Sequence, residues 1–203
     1  APRLFPRRPF TAAVLVMGLV GLATFATLFA LPLFFQQAHG VGALASGALV
    51  APVGLGAAVA MPVAGRLSDR LGARGPALGG AAVAVLGGLA FTRFDAGTAW
   101  VWPVLAGCAV GLGLGFVGAP TMGSLYRLLP PPLIPQGSAV LYMLNQLGAA
   151  LGIAVVTLAM QTAADALTGL RTLFWFATAM TIIILAAVPL LPGRPSPAPA
   201  AEN

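Results

Sequence analysis

The sequence predicts an all-α integral membrane protein, folded as a bundle of six transmembrane helices, and three observations lead there. Only 7% of its 203 residues are charged and 59% are hydrophobic, whereas a soluble domain carries about 25% charged residues. No Asp, Glu, Lys or Arg occurs between Arg8 and Arg66, which is chain enough for two spans of about 20 apolar residues. Beyond Arg74, short polar interruptions leave four more apolar runs.

The first span is expected near residues 11–35. It ends where QQAHGVG (Gln36 to Gly42) breaks the run with two amides, a histidine and two glycines. That run is longer than the roughly 7–15 apolar residues of a signal peptide. The chain starts at Ala1 and not at Met, so it reads as an excerpt or a truncation of something longer. The second span is expected at 44–64 and the third, short one at 76–92, before Arg93. Trp100 and Trp102 mark a membrane interface, as aromatic belts do, and open a fourth span at 100–124. LLPPPLIPQG (Leu128 to Gly137) holds four prolines, each lacking an amide donor and clashing with a preceding helical turn, so a surface loop is expected. A fifth span at 138–161 and a sixth at 172–191 follow. Residues 193–203, rich in Pro and Ala, are expected to be a disordered tail.

With the N-terminus inside, the inner segments hold Arg3, Arg7, Arg8, Arg66, Arg70, Arg74, Arg127 and Arg194, and the outer loops hold Arg93 and Arg171. Cytoplasmic loops carry the excess of basic residues, so both termini are expected in the cytoplasm and the protein in the cell membrane. The net charge of +6 is thereby spent on topology. It forms no basic stripe or nucleic-acid motif, and no nucleic-acid partner is expected. Cys108 is the single cysteine and His39 the single histidine, so neither a disulfide within the chain nor a metal site is expected, and no cofactor. Intramembrane enzymes need paired acids, histidine clusters or a Ser/Lys pair at depth. None is present in the spans.

Helices in lipid associate through close van der Waals approach at small residues. Gly107, Gly111 and Gly115 share one face of the fourth span, Gly148 and Gly152 recur on the fifth, and Gly80, Ala84 and Gly88 on the third. The sixth span is bulky and suits a peripheral, lipid-facing place. Polar groups inside the membrane are costly and often functional. On the fifth span Ser138, Tyr142 and Asn145 are spaced to lie along one side, with Gln146 beside them, a polar and small face suited to a protein or a water-lined contact. Thr24 and Thr27 belong to the first span, although threonine hydroxyls commonly bond their own helix. Asp69, Asp95, Asp165 and Glu202 all fall outside the spans, so the chain brings no carboxylate to mid-membrane depth.

GRLSDRLGAR (Gly65 to Arg74) concentrates four of the fourteen charged residues in ten positions. Gly65 is expected to end the second span, Asp69 to face a positive helix end, the arginines to anchor to headgroups or carbonyl ends, and Gly72 to turn the chain into the third span. The pattern G-x-L-x-D-R-x-G-x-R, made by Gly65, Leu67, Asp69, Arg70, Gly72 and Arg74, resembles the cytoplasmic loop signature of the major facilitator superfamily. Ala73 stands where the full motif prefers a basic residue. The segments from Leu31 to Arg74, GLGLGFVGAP, QGSAVLYMLNQLGAALGIAVV and the opening RLFPRRPF resemble drug:proton antiporters with fourteen predicted helices, specifically their C-terminal six-helix half, over nearly all of residues 3–192.

That resemblance implies alternating access between two six-helix bundles around a central cavity, with the partner a six- or eight-helix N-terminal half that carries the proton-coupling acid. It implies that the first and fourth helices line the cavity, making Thr24, Phe25, Thr27, Phe29, Gly107, Gly111 and Gly115 cavity-side candidates. It implies that the second and fifth helices meet the other bundle, making Tyr142, Asn145, Gln146, Gly148 and Gly152 interface candidates. The signature loop, Gly65, Arg66, Asp69, Arg70, Gly72 and Arg74, then acts as a conformational latch. The expected function is part of a proton-coupled exporter of small apolar or amphipathic molecules, inactive alone. The alternative is a non-transporting membrane assembly protein that reuses the half fold.

Overall fold

A computed structural model describes residues 8–95 and 97–191, apart from the side chains of Arg8, Pro9, Leu125, Arg127 and Leu128. The tail expected at 193–203 lies outside the described residues. Six long helices follow one another: α1 Arg8–His39, α2 Ala43–Leu71, α3 Arg74–Phe91, α4 Val101–Leu128, α5 Ile134–Thr162 and α6 Ala166–Ala187, with 3₁₀ turns at Pro131–Leu133 and Val188–Leu190. All six are long and apolar enough to cross a membrane. Six passes put the α2–α3 turn, the α4–α5 link and Leu191 at one end of the bundle. The α1–α2, α3–α4 and α5–α6 links lie at the other.

α1 is the central post. It packs against α5 and α6 and more lightly against α4 and α2, while α4 joins α2 to α3. Exchanging the first three helices for the last three turns the α1–α5 pair into α4–α2, and α1–α6 into α4–α3, so the packing has an internal two-fold character. Burial follows that plan. In α1 56% of the most apolar stretch is inside the bundle, against 22% in α2 and 28% in α5. The buried positions of α2, at Ser46, Val53, Gly56, Ala60, Ala64 and Ser68, form a single stripe at helical spacing, flanked by the half-buried Leu49, Val50 and Ala57. α6 is less peripheral than its bulk suggests. Leu170, Leu173, Phe174, Ala177, Thr178, Thr181 and Ile184 are buried against α1 and α3, which leaves Trp175, Ile182 and Ile183 on the outer side.

The seams are stitched by glycine. A Cβ at Gly148 would collide with the Gly18 carbonyl of α1, and one at Gly111 with the Val53 carbonyl of α2. A Cβ at Gly113 would stand 2.6 Å from the Ala84 amide nitrogen of α3. Helix backbones therefore touch at all three principal contacts, where dispersion is strongest per residue.

Two boundaries differ from the sequence expectation. Gly65 does not end the second span; α2 continues to Leu71, so most of the signature segment is helical. The reason is that Arg66, Leu67, Ser68, Asp69 and Arg70 break no helical rule, and the turn waits for Gly72, whose φ of 86° and ψ of 165° suit only glycine. The proline segment is likewise less of a loop. α4 reaches Leu128, and α5 opens at Ile134 with Pro135 in its first turn, where a missing amide costs nothing because it has no intrahelical acceptor.

Candidate functional site: an apolar cavity and its latch

A cavity of about 630 Å³ opens between α1, α2, α4 and α5. Its walls are almost wholly apolar: Met17, Val20 and Leu28 from α1, Val53 and Met61 from α2, Leu114 and Met122 from α4. Thr24, Phe25 and Thr27 of α1 line it too. The Thr27 hydroxyl donates to the Ala23 carbonyl at 2.8 Å, so it is occupied by its own helix. The remaining polar groups, Tyr126, Tyr142 and Asn145, sit in the half of the cavity nearest the α2–α3 turn. Among the described residues no carboxylate or guanidinium lines it.

Of the other four cavity-side candidates, two lie off the cavity and two border it while also packing a helix seam. Phe29 is half exposed and does not border the cavity. Gly107 lies against Val53 and Leu31, beyond the cavity wall. Gly111 and Gly115 border it, but their role is to let α2 approach, since a Cβ at Gly115 would stand 2.8 Å from that of Ala60. α2 is thereby drawn into the cavity wall, which the sequence reading missed. The Gly-x-x-x-Gly spacing of α4 thus makes a helix seam, and at Gly111 and Gly115 the same face borders the cavity.

The face of α5 also divides. With about 100° of rotation per residue, Tyr142 and Gly148 lie some 120° apart around the helix. Gly148 and Gly152 are sealed against Gly18, Leu22 and Ala26 of α1 and are not offered to a partner. Asn145 stands between the two sides. Its Nδ2 donates to the Met17 carbonyl at 3.1 Å, while Tyr142 and Gln146 remain exposed. Only the outer edge of that face is free to meet anything outside this bundle.

At the latch, the Gly72 amide closes α2 by donating to the Ser68 carbonyl at 2.9 Å. Arg74 Nη2 donates to the Leu191 carbonyl at 3.0 Å, tying the start of α3 to the end of the 3₁₀ turn after α6. A carbonyl-end anchor expected for these arginines is thus present at Arg74. Arg66, Asp69 and Arg70 border a surface recess with Val63 and Leu67. The opposite end is tied by His39, whose Nε2 lies 3.0 Å from the Thr98 carbonyl, and by Gln36, which donates to Ser46 Oγ at 3.0 Å.

The sequence profile of the Major Facilitator Superfamily matches residues 2–153. This chain belongs to that superfamily. It is 28% identical over 153 residues to the lincomycin resistance protein LmrB of Listeria innocua, covering 75% of this chain and 32% of that protein. It is 32% identical over 157 residues to a multidrug resistance protein B homolog of Mycobacterium tuberculosis, covering 76% and 29%. The chain therefore spans about a third of the length of the curated relatives it matches. Among solved structures, the proton:xylose symporter XylE superposes with a TM-score of 0.72 at 17% identity, over 91% of this chain and 45% of that one. A bacterial homologue of the drug peptide transporters PepT1 and PepT2 superposes with a TM-score of 0.70 at 15% identity, over 89% and 42%. At such identities the likeness concerns the fold. This is a multi-pass membrane chain with the bundle architecture of superfamily transporters.

Proposed function

We propose that the chain is the C-terminal six-helix bundle of a proton-coupled exporter of apolar or amphipathic small molecules in the cell membrane, with the α2–α3 turn in the cytoplasm. The observation that carries this reading is the 630 Å³ cavity, which has apolar walls and is bounded partly by α2 and α5, the two helices least covered within the chain. A half-open apolar cavity beside bare helices is what remains when the opposing wall belongs to another bundle. Flexible methionines and the lack of fixed charge among the described lining residues suit cargo varied in shape, in keeping with relatives named for resistance to lincomycin and to several drugs.

Asp69, Asp95 and Asp165 all stand at helix ends or in loops, so the proton carrier of the whole transporter is assigned to the opposing bundle. On this reading the chain by itself moves no cargo. Ethidium export from everted vesicles tests it. The chain alone should give none, the chain joined to the N-terminal half should give proton-driven export, and Asp69→Asn in the joined protein should lower the rate several-fold at unchanged membrane level. Proton-driven export by the chain alone, with no other subunit present, would overturn the assignment.

A further inference from the structure

Threonine hydroxyls in helices commonly bond a carbonyl of their own preceding turn, and the threonines of this bundle do so almost throughout. Thr27 donates to the Ala23 carbonyl at 2.8 Å, and Thr121 and Thr178 donate to Val117 and Phe174 at 2.7 Å each. Even the exposed Thr157, Thr162 and Thr172 reach the carbonyl four residues back. Thr24 differs. It is half-buried, yet among the described residues its hydroxyl has no hydrogen-bond partner.

This hydroxyl borders the large cavity at a particular place. Thr24 stands at the middle of α1 (Arg8–His39), and so at mid-depth in the membrane. At about 100° per residue, the α1 residues that line the cavity span an arc of about 160°, from Thr27 round to Phe25. Thr24 lies within about 20° of the middle of that arc. Its neighbours one turn away, Val20 and Leu28, are apolar and line the same cavity. The other polar lining groups are placed differently. Asn145 seats over Gly21, where a Cβ would stand 2.9 Å from its Nδ2, and its amide already donates to the Met17 carbonyl at 3.1 Å. Tyr126 and Tyr142 are more than half exposed toward the end nearer the α2–α3 turn. Thr24 is thus an unspent donor at the centre of an apolar wall.

We propose that the Thr24 hydroxyl selects among cargo by donating a hydrogen bond to a neutral acceptor, a ketone-type oxygen carried on an otherwise apolar molecule. Orphaned donors away from water are rarer than under-used acceptors, so the complement of this group is an oxygen lone pair. A charged cargo group would find no opposite charge among the described lining residues, and unpaired charge is costly at this depth. A plain hydrocarbon would leave the donor unmet. The inference rests on the reading of this cavity as a cargo site and adds the group that discriminates within it.

The test compares 9-fluorenone, labelled with 13C at its carbonyl, with fluorene, which has the same rings and a CH2 in place of the C=O. The purified chain is titrated in lipid nanodiscs, at fixed lipid, and followed by 13C NMR. The carbonyl signal should move downfield saturably in the unsubstituted chain and in Thr24→Ser, which keeps the hydroxyl. In Thr24→Val, of the same shape without the hydroxyl, the signal should stay where empty nanodiscs put it. Affinity should fall there by about three- to thirtyfold, the range of one hydrogen bond between helices in lipid. Fluorene should compete less well than unlabelled fluorenone by a similar factor, with the gap closed in Thr24→Val. All three proteins should keep the same helicity and elution volume. No saturable shift, a shift that survives Thr24→Val, or one that Thr24→Ser loses as fully would overturn the proposal. Ethidium export by the joined protein separates the two readings. Export without a Thr24-dependent shift leaves transport standing and removes the anchor, and a Thr24-dependent shift without export does the reverse.

Discussion

The α1–α5 and α2–α4 seams occupy equivalent places under the internal two-fold exchange, and glycine closes both, yet they are held differently. α1–α5 carries a side-chain hydrogen bond, from Asn145 to the Met17 carbonyl. Across the middle of α2–α4 the contact is Gly56, Ala57 and Ala60 on one side and Cys108, Gly111 and Gly115 on the other, small residues that meet through backbone and methyl groups. In lipid no hydrophobic force pulls helices together. A seam pinned by a hydrogen bond has one register, while a smooth seam of small residues resists sliding less. The two walls of the large cavity are therefore unequal where they border it, with α5 pinned to the central post at Asn145 and α2 held there by the fit of small residues.

The strongest way to break the comparison is to force the seams apart. Gly148→Ala and Gly111→Ala each drive a methyl group into a backbone carbonyl of the facing helix, which no rotamer change relieves. Both should lose on the order of 3 kcal/mol, the upper range for overpacking, read as reversible unfolding in mixed micelles. Gly118→Ala, where nothing lies within 4 Å, should be neutral or slightly stabilising. If Gly111→Ala costs as little as Gly118→Ala, the α2–α4 seam is not a backbone contact.

Next in size is the turn that ends α2. Gly72→Ala places a side chain at φ 86° and ψ 165°, a region that costs about 1–3 kcal/mol for other residues. Gly65→Ala, in the helix interior with open space around it, should cost nothing. The same unfolding assay separates them, and equal effects at the two glycines would restore Gly65 as the turning point.

Asn145→Leu sharpens the difference between the seams themselves. Losing an interhelical hydrogen bond in a membrane costs about 0.6 kcal/mol on average and at most about 2. The loss should appear with an increase in the distance distribution between spin labels on α1 and α5. Labels on α2 and α4 of the unsubstituted chain should already show the broader distribution. Equal widths in the two pairs would mean the hydrogen bond sets no register.

Six spans, their order and the charge asymmetry of the two ends were legible in the sequence because apolar runs and arginines report directly on what lipid tolerates. The cavity wall was legible only in part. Thr24, Phe25 and Thr27 of α1 line it, while Gly111 and Gly115 both line it and close a seam, and sequence cannot separate the two roles because a small-residue stripe has the same spacing whether it faces a ligand or another helix. Tyr126, Met61 and Met122 were missed for the complementary reason, since single residues isolated along a helix carry no periodic signal. The end of α2 was misplaced because Gly65 and Gly72 look alike in sequence, and only the backbone angle separates a helical glycine from a turning one. The packed ring cluster of Phe34, Phe91, Phe94 and Phe174 draws on α1, α3 and α6 and the loop after α3, so no local pattern announces it.

The smallest effect concerns the α5–α6 link, where one acid starts a helix. Asp165 accepts from the Thr168 amide at 2.8 Å, and this bond, with a second from the Thr168 hydroxyl, holds its carboxyl below the usual carboxylate value. A folded-state pKa below the unfolded value of about 3.9 means the cap is fully stabilising above that pH. Its contribution is lost as pH falls through the lower, folded value. Asp165→Ala should therefore lower Tm slightly at pH 7, and the gap to the unsubstituted chain should narrow as the pH is taken below about 4. Asp165→Asn, which retains an oxygen for the Thr168 amide, should fall between the two at pH 7 and vary less with pH. A gap between Asp165→Ala and the unsubstituted chain that stays constant down to pH 3 would show that the charge of this cap contributes nothing.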